Sequence, residues 1–314
     1  MMLVSVIIIN WNKPHETCAA IESVIVQDYM NIEIIVVDNA SQDKSIAIIT
    51  NRYPDVRLIP LKRNLGCPGG RNMGAAEAHG ELLFFLDDDG FYVEGNLISK
   101  IVSLFHDKPK MGAAYFKLTD FHTKMTLAPL NRSVEYIDKF FLSSSFRGGA
   151  SVIRSALFRD VGQYPFDFFR QMEERFLSLK IYNAGYYVAY VPQLTMCHKG
   201  SSYANKNRII AKYQMANEIK TIIQLYPTRY LTLYLIGKLL VHLKQTFENG
   251  AIFDYVMTLC KIPVWLLIRR KKSEIVSCEV FKTVEGLKHY DAFSPEDLKD
   301  VMSSYSTSDV FFRS

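Results

Sequence analysis

Unbroken apolar runs alternate with helix-spaced ones through the first third of the chain. Val4 to Ile9, Ile32 to Val37 and Leu82 to Leu86 are each almost wholly hydrophobic, the first two rich in β-branched residues. A strand covered on both faces reads as a continuous apolar run, so these three predict central strands. Between them, Ala19, Ala20, Ile21, Val24 and Ile25 recur at helical spacing behind Pro14, with Asn12 placed to cap that helix. Asp43 is expected to open a short helix to Arg52, and Val56 to Pro60 to form a weaker strand. A glycine-rich loop, Asn64 to Gly74, then enters a helix. Alternating strand and helix predicts a doubly wound, mostly parallel sheet.

The second half predicts strands over Met111–Leu118, Ser151–Ile153 and Tyr186–Val191, with an irregular polar stretch over 119–147. Met172-Glu173-Glu174 opens a helix whose apolar face is Phe176, Leu177 and Leu179 to Ile181. From Lys206 onward the pattern is helical, over Ile209–Tyr226, Arg229–Phe247 and Ile252–Ile268. Lys238, His242, Lys244 and Lys261 interrupt the apolar runs, so none is a clean span of about 20 residues. The four cations Arg269 to Lys272 follow. Two readings stay open here: helices lying on an anionic membrane surface, or helices packed on the first domain or on another copy. The expected division is residues 1–205, with halves 1–110 and 111–205, and a helical region 206–314. Residues beyond Phe293 are polar and expected to fray, and Val310-Phe311-Phe312 has no assignment.

Chemistry enters at the strand ends. The strand Leu82 to Leu86 runs straight into Asp87-Asp88-Asp89, and the two earlier strands end at Asn10/Asn12 and at Asp38-Asn39. Ligands of open α/β sheets bind at the carboxyl ends of the strands. Adjacent anions repel, and a hard divalent cation neutralises them while keeping positions for phosphate oxygens and water. Asp38 suits a base or ribose, Gly69 and Gly70 a close backbone approach, and Arg71 a phosphate. Each has a plainer reading: a solvated acidic turn, a capping turn, a surface ion pair. Glu173 and Glu174 would complement the helix dipole without any chemistry, and His198 would be structural.

Composition narrows the class little. Hydrophobic residues make up 49% and charged residues 22%, as in a globular protein with a real core. The net charge of +5 is too mild and dispersed for nucleic-acid binding. Five scattered cysteines without metal-ligand spacing predict a reduced, cytoplasmic setting, with the membrane's cytoplasmic face as the alternative. The short apolar N-terminus reads as a first strand, not a signal peptide.

The ordered set VSVIIINWN, VVDNAS, NLGCPGGRNMG, GELLFFLDDD, RGGASVIRSALFRDVG, MEERFLSLK and Cys197-His198-Lys199-Gly200 resembles the inverting family-2 glycosyltransferases, especially their rhamnosyltransferase-like branch. The resemblance covers Val4 to about Ser202. It implies an α/β GT-A fold, a Rossmann-like, mostly parallel sheet flanked by helices, here with a C-terminal helical extension. It also implies a nucleotide-sugar donor (UDP- or dTDP-linked), a glycan or lipid-linked acceptor, and Mg²⁺ or Mn²⁺. The family's metal-binding DxD falls on Asp87 and Asp89 with Asp88 between, and His198 matches a histidine that completes the metal site. Asp38 falls on the base-binding acid, Arg71 in the donor loop, and the catalytic base on Glu174 with Glu173 beside it. The chain departs from the pattern at this pair, often Glu-Asp in the family, and at Phe176, Lys180 and the stretch around Tyr164-Pro165-Phe166. Two other classes meet the same needs: a non-catalytic binding module on this fold, and a nucleotidyltransferase.

Overall fold

The computed structural model describes residues 1–199, 207–267 and 274–305. Its first half runs β1 (Val4–Asn10), α1 (Pro14–Ile25), β2 (Ile32–Asp38), α2 (Ser45–Arg52), β3 (Arg57–Pro60), α3 (Gly66–Ala76), β4 (Leu82–Asp87), β5 (Gly90–Tyr92) and α4 (Leu97–Asp107). The second half runs β6 (Met111–Asp120), β7 (Phe141–Leu142), β8 (Ala150–Arg154), α5 (Ser155–Asp160), α6 (Glu173–Asn183) and β9 (Tyr187–His198). Five helices complete it: α7 (Asn207–Leu225), α8 (Thr228–Asn249), α9 (Ile252–Leu267), α10 (Cys278–Gly286) and α11 (Leu298–Ser304).

One mixed, mostly parallel sheet has the order β3-β2-β1-β4-β8-β6-β9-β5, with β7 on β9. β1 is parallel to both β2 and β4, and all its residues are buried, as the continuous apolar run predicts. β8 lies antiparallel between β4 and β6. Register then decides where the polar strand ends fall. Asn10 lies opposite Asp38, Ile9 opposite Asp87, and His198 opposite both Gly90 and Asp120. The acids and the histidine are thereby brought to one edge.

Several local expectations change. Helix α3 starts at Gly66 itself, so the glycine-rich stretch is mostly helix rather than loop. Its glycines serve packing: a Cβ at Gly74 would stand 2.4 Å from Ile7 Cγ2, and one at Gly70 would stand 3.3 Å from Ile9. Asn12 does not cap α1. Its backbone is left-handed (φ 55°) and its Oδ1 accepts from the Gln42 N–H instead. Strand β9 extends through His198, beyond the expected end at Val191, because β5 and β6 keep it paired. The segment after Phe293 is not frayed throughout: α11 forms, and Val301 is buried. Arg269 to Lys272, Gly200 and Val310 to Phe312 lie outside the described residues.

The C-terminal helices share the core of the sheet domain. Phe281 of α10 is fully buried among Tyr226, Tyr230 and Tyr234, with ring centroids 4.5–5.2 Å apart across this cluster. Arg175 of α6 forms a buried ion pair with Glu285 of α10. Glu285 also accepts from Tyr226 Oη (2.7 Å) and Lys288 Nζ (2.8 Å). A buried charge persists only when paired and hydrogen-bonded in this way. Removing Glu285 would leave Arg175 as an uncompensated charge in the interior, whereas Glu285 without Arg175 would still face Lys288.

Candidate active site

One rim of the candidate site is built from strand tips and the turn after β4. Asp38 is fully buried: one oxygen accepts from Asn10 Nδ2 (2.6 Å) and the other from the Ser41 N–H (2.9 Å). Asn39, also buried, accepts from the Leu65 N–H (2.8 Å) and donates to the Gly66 carbonyl (3.1 Å), joining the β2 tip to the start of α3. Asn10, Asp38 and Asn39 therefore brace the floor of the rim, where the sequence suggested ligand contacts. Gly69 and Gly70 are likewise buried in α3 rather than turned toward a cleft. Asn12 is exposed on the rim, and beside it Trp11 is 53% exposed, a large indole that the sequence reading passed over.

The three aspartates take separate partners. Asp88 and Asp89 both bind the Lys13 ammonium, at 3.0 and 2.8 Å, and Asp89 also meets His198 Nε2 at 3.0 Å. Burial pushes the Asp88 carboxyl up to about 7, against the pull of Lys13. Burial would also raise Asp89, but the hydrogen bond and charge of His198, together with Lys13, hold it well below the usual carboxylate range. The same hydrogen bond raises the His198 imidazole above its ordinary value. Asp87 turns instead to Arg71, 2.9 Å away. Among the described residues no three potential ligands gather into a ready cage. Even so, the donor set suits a hard divalent ion: aspartate oxygens and an imidazole stand at one rim, and a lysine ammonium already sits where positive charge is needed. Such ions are commonly held by one or two carboxylates, with phosphate and water completing the shell.

Across Arg71 lies the acid pair. Arg71 is 3% exposed, and its Nη1 lies 3.6 Å from Glu173 and 3.7 Å from Glu174. Two glycines make this closeness workable. A Cβ at Gly149 would stand 2.0 Å from the Asp87 carboxylate, and one at Gly148 would stand 2.2 Å from Arg71 Nη1. The Gly148 N–H donates to Glu174 Oε1 at 3.1 Å. Glu173 is 3% exposed and its Oε2 has no hydrogen-bond partner. Burial, then the charge of Glu174, raises the Glu173 carboxyl, with Arg71 opposing; burial raises Glu174 too. Burial and the neighbouring negative charge thus disfavour ionising both acids together. Glu174 lines a cavity of about 590 Å³ with Gln171, Met172, Tyr226, Lys238 of α8 and Glu285 of α10, so helices α8 and α10 form part of its wall.

The turn entering α6 is strained. Gln171 and Met172 have φ of 68° and 71°, unusual for residues with a Cβ. Asn217 of α7, 3% exposed, donates its side-chain amide to the carbonyls of Arg170 and Gln171, both at 2.9 Å. No sequence signal pointed to Asn217 or to Lys13.

The Glycosyl transferase family 2 profile matches residues 5–162, about half of the chain, including Lys13 and the three aspartates but not His198 or the acid pair. The chain belongs to glycosyl transferase family 2. Over 103 residues it is 39% identical to the UDP-Glc:alpha-D-GlcNAc-diphosphoundecaprenol beta-1,3-glucosyltransferase WfaP of Escherichia coli, covering 32% of this chain and 41% of that protein. It is 33% identical over 98 residues to the uncharacterized glycosyltransferase YwdF of Bacillus subtilis, covering 31% and 36%. The matches thus span less than half the length of either relative. In fold, this family 2 chain resembles S. aureus TarS 1-349 in complex with UDP-GlcNAc, with a TM-score of 0.58, 15% identity and coverage of 96% and 90%. The mannosyltransferase PcManGT from Pyrobaculum calidifontis, in complex with GDP-Man and Mn2+, gives a TM-score of 0.57 at 15% identity, covering 91% and 85%. The fold is GT-A-like, with α7–α11 appended.

Proposed function

We propose that this chain transfers a sugar from a nucleoside diphosphate donor to a hydroxyl of a glycan or lipid-linked acceptor, with inversion, and that Glu174 is the general base. The observation that carries this reading is the arrangement about Arg71. Asp87 stands on one side, and Glu174, held by the Gly148 N–H, opens onto a cavity on the other. One face receives the donor and the opposite face the acceptor, as a single in-line displacement requires.

The acceptor oxygen must lose a proton as it attacks. Glu174 is half-buried and raised in pKa, so it accepts that proton more readily than an ordinary carboxylate, and such base help is worth ~10²–10⁴-fold. Glu173, fully enclosed, keeps its proton and leaves Glu174 as the anion. Arg71 balances the acids on both sides and holds their spacing. Asp89 and His198, with Asp87 beside them, would hold Mg²⁺ or Mn²⁺, which when bound supplies charge stabilisation to the leaving diphosphate. The exposed Trp11 indole offers a flat face to the nucleotide base, and base–aromatic stacking is worth ~1–3 kcal/mol.

The names of WfaP and of the TarS complex support a UDP-linked hexose as donor, and the undecaprenol named for WfaP supports a lipid-linked acceptor. A dTDP-deoxyhexose, the donor suited to a rhamnosyltransferase-like branch, is the second class to test. A thermal-shift panel of UDP-, dTDP- and GDP-sugars, with and without Mn²⁺, tests the reading, because a ligand that binds the folded state raises apparent stability. Metal-dependent stabilisation by one nucleotide sugar is the expected result. Stabilisation by nucleoside triphosphates instead, with pyrophosphate release, would point to nucleotidyl transfer.

A further inference from the structure

Helices α8 and α9 each bury one stripe and expose another. On α8, Tyr230, Tyr234 and His242 are buried, while Ile236, Leu240 and Phe247 are 53%, 59% and 68% exposed. On α9, Tyr255 and Thr258 are buried, while Phe253, Val264 and Leu267 are 68%, 52% and 80% exposed. Lys261 is the one charged exposed side chain of α9 among the described residues. The helices meet where Tyr255 Oη donates to the Leu239 carbonyl (3.0 Å), and exposed Leu240 and Val256 flank that contact. An apolar surface this rich is uncommon on a soluble face and marks an interaction site.

Length and charge choose the occupant. Among the described residues no helix is long and apolar enough to cross a membrane. The described part of α9, 16 residues, is ~24 Å long against a hydrocarbon core of ~30 Å, and it contains Pro263. Such a helix suits the plane of an interface. The exposed charges around the apolar stripes are mostly positive: Arg229 and Lys244 on α8 and Lys261 on α9, against Glu248. The one acid of α9, Asp254, is buried and paired with Lys212. Beyond Leu267 the sequence continues through Ile268 into Arg269-Arg270-Lys271-Lys272. A twofold contact between two copies would juxtapose like surfaces, and so cation with cation. An anionic headgroup layer complements both the apolar centre and its basic surround.

We infer that the exposed face of α8 and α9 docks on an anionic bilayer surface, with α9 lying in the interface. This goes beyond the transfer reaction and does not depend on it. Docking would hold the cavity beside Glu174, walled in part by α8, near a membrane.

The test is co-sedimentation of the whole chain with vesicles of equal parts phosphatidylglycerol and phosphatidylcholine, and with phosphatidylcholine alone. Expected are binding to the anionic vesicles that weakens with salt, and weaker binding to the neutral ones. Phe253→Ser with Leu267→Ser should lower the partition by about tenfold or more, since both side chains would leave the lipid. Both positions are exposed, so the fold tolerates the change. Ile46→Ser, at an exposed apolar position of α2, should leave it unchanged. Absence of vesicle binding, or binding that the double substitution leaves intact, overturns the inference. So does a wild-type dimer that the double substitution turns to monomer while neither form binds vesicles. Nucleotide-sugar thermal shifts on the same preparations report on the transferase reading separately.

Discussion

Asn217 of α7 donates its side-chain amide to the carbonyl oxygen of Gln171 at 2.9 Å, two residues before the acid pair. Helix α7, outside the sheet, thus holds the turn that leads into Glu174. Left-handed backbone at a residue with a Cβ costs of order 1–3 kcal/mol, and Gln171 and Met172 both adopt it. Two part-buried hydrogen bonds from Asn217 offset part of that strain. Asn217→Ala should lower unfolding stability by about 2 kcal/mol in urea. It should also reduce kcat while the donor-induced thermal shift stays as in the wild type. An unchanged kcat would make Asn217 purely structural.

Gly149 is open to a sharper test. A methyl group there would collide with the Asp87 carboxylate, which must then shift from the position in which it meets Arg71. Gly149→Ala should therefore reduce transfer at least ~10²-fold, by analogy with small misplacements of catalytic groups. A folded, fully active Gly149→Ala enzyme would show that the Asp87–Arg71 contact is dispensable.

The metal assignment has a readout that does not require turnover. Asp89→Asn and His198→Ala each remove a donor atom from the rim. Both should diminish the extra stabilisation that Mn²⁺ gives with the nucleotide sugar, measured by thermal shift. A Mn²⁺ effect of wild-type size in both variants would move the cation elsewhere.

The pH dependence follows from the raised acid pair. Glu174 must be ionised to take a proton, and its pKa lies above the ordinary 4.5, so transfer should fall on acidification at a pH above that value. Stability runs the other way. A buried carboxyl with a raised folded-state pKa favours folding fully below 4.5, and that contribution is lost as pH rises through the raised value. Glu173→Gln cannot lose a proton, so its stability should decline less toward alkaline pH than the wild type. Parallel stability curves would place the buried proton on another group.

Much of this architecture is legible in sequence because its cause is local. β1, β4 and the second half of β2 are buried on both faces, so their apolar runs are continuous, and their polar ends mark the edge where Asp38 and Asp87 emerge. The direction of side chains is less legible. Asp38 turns inward because Asn10 lies opposite it in register, and the stretch around Gly69 becomes helix because its glycines let α3 approach β1. Strands β5 and β7 have three and two residues, too few to show a pattern. Partners far apart in sequence are invisible beforehand: Lys13 with Asp88, Asn217 with Gln171, and Arg175 with Glu285.

The two glutamates give the most direct discrimination. With the donor identified, binding is measured by calorimetry and transfer by product formation for Glu174→Gln and Glu173→Gln in parallel. The geometry predicts that Glu174→Gln binds donor as the wild type does while kcat falls ~10²–10⁴-fold, and that Glu173→Gln keeps kcat within about tenfold. Full transfer by Glu174→Gln, or a larger loss in Glu173→Gln, would contradict the assignment of the base.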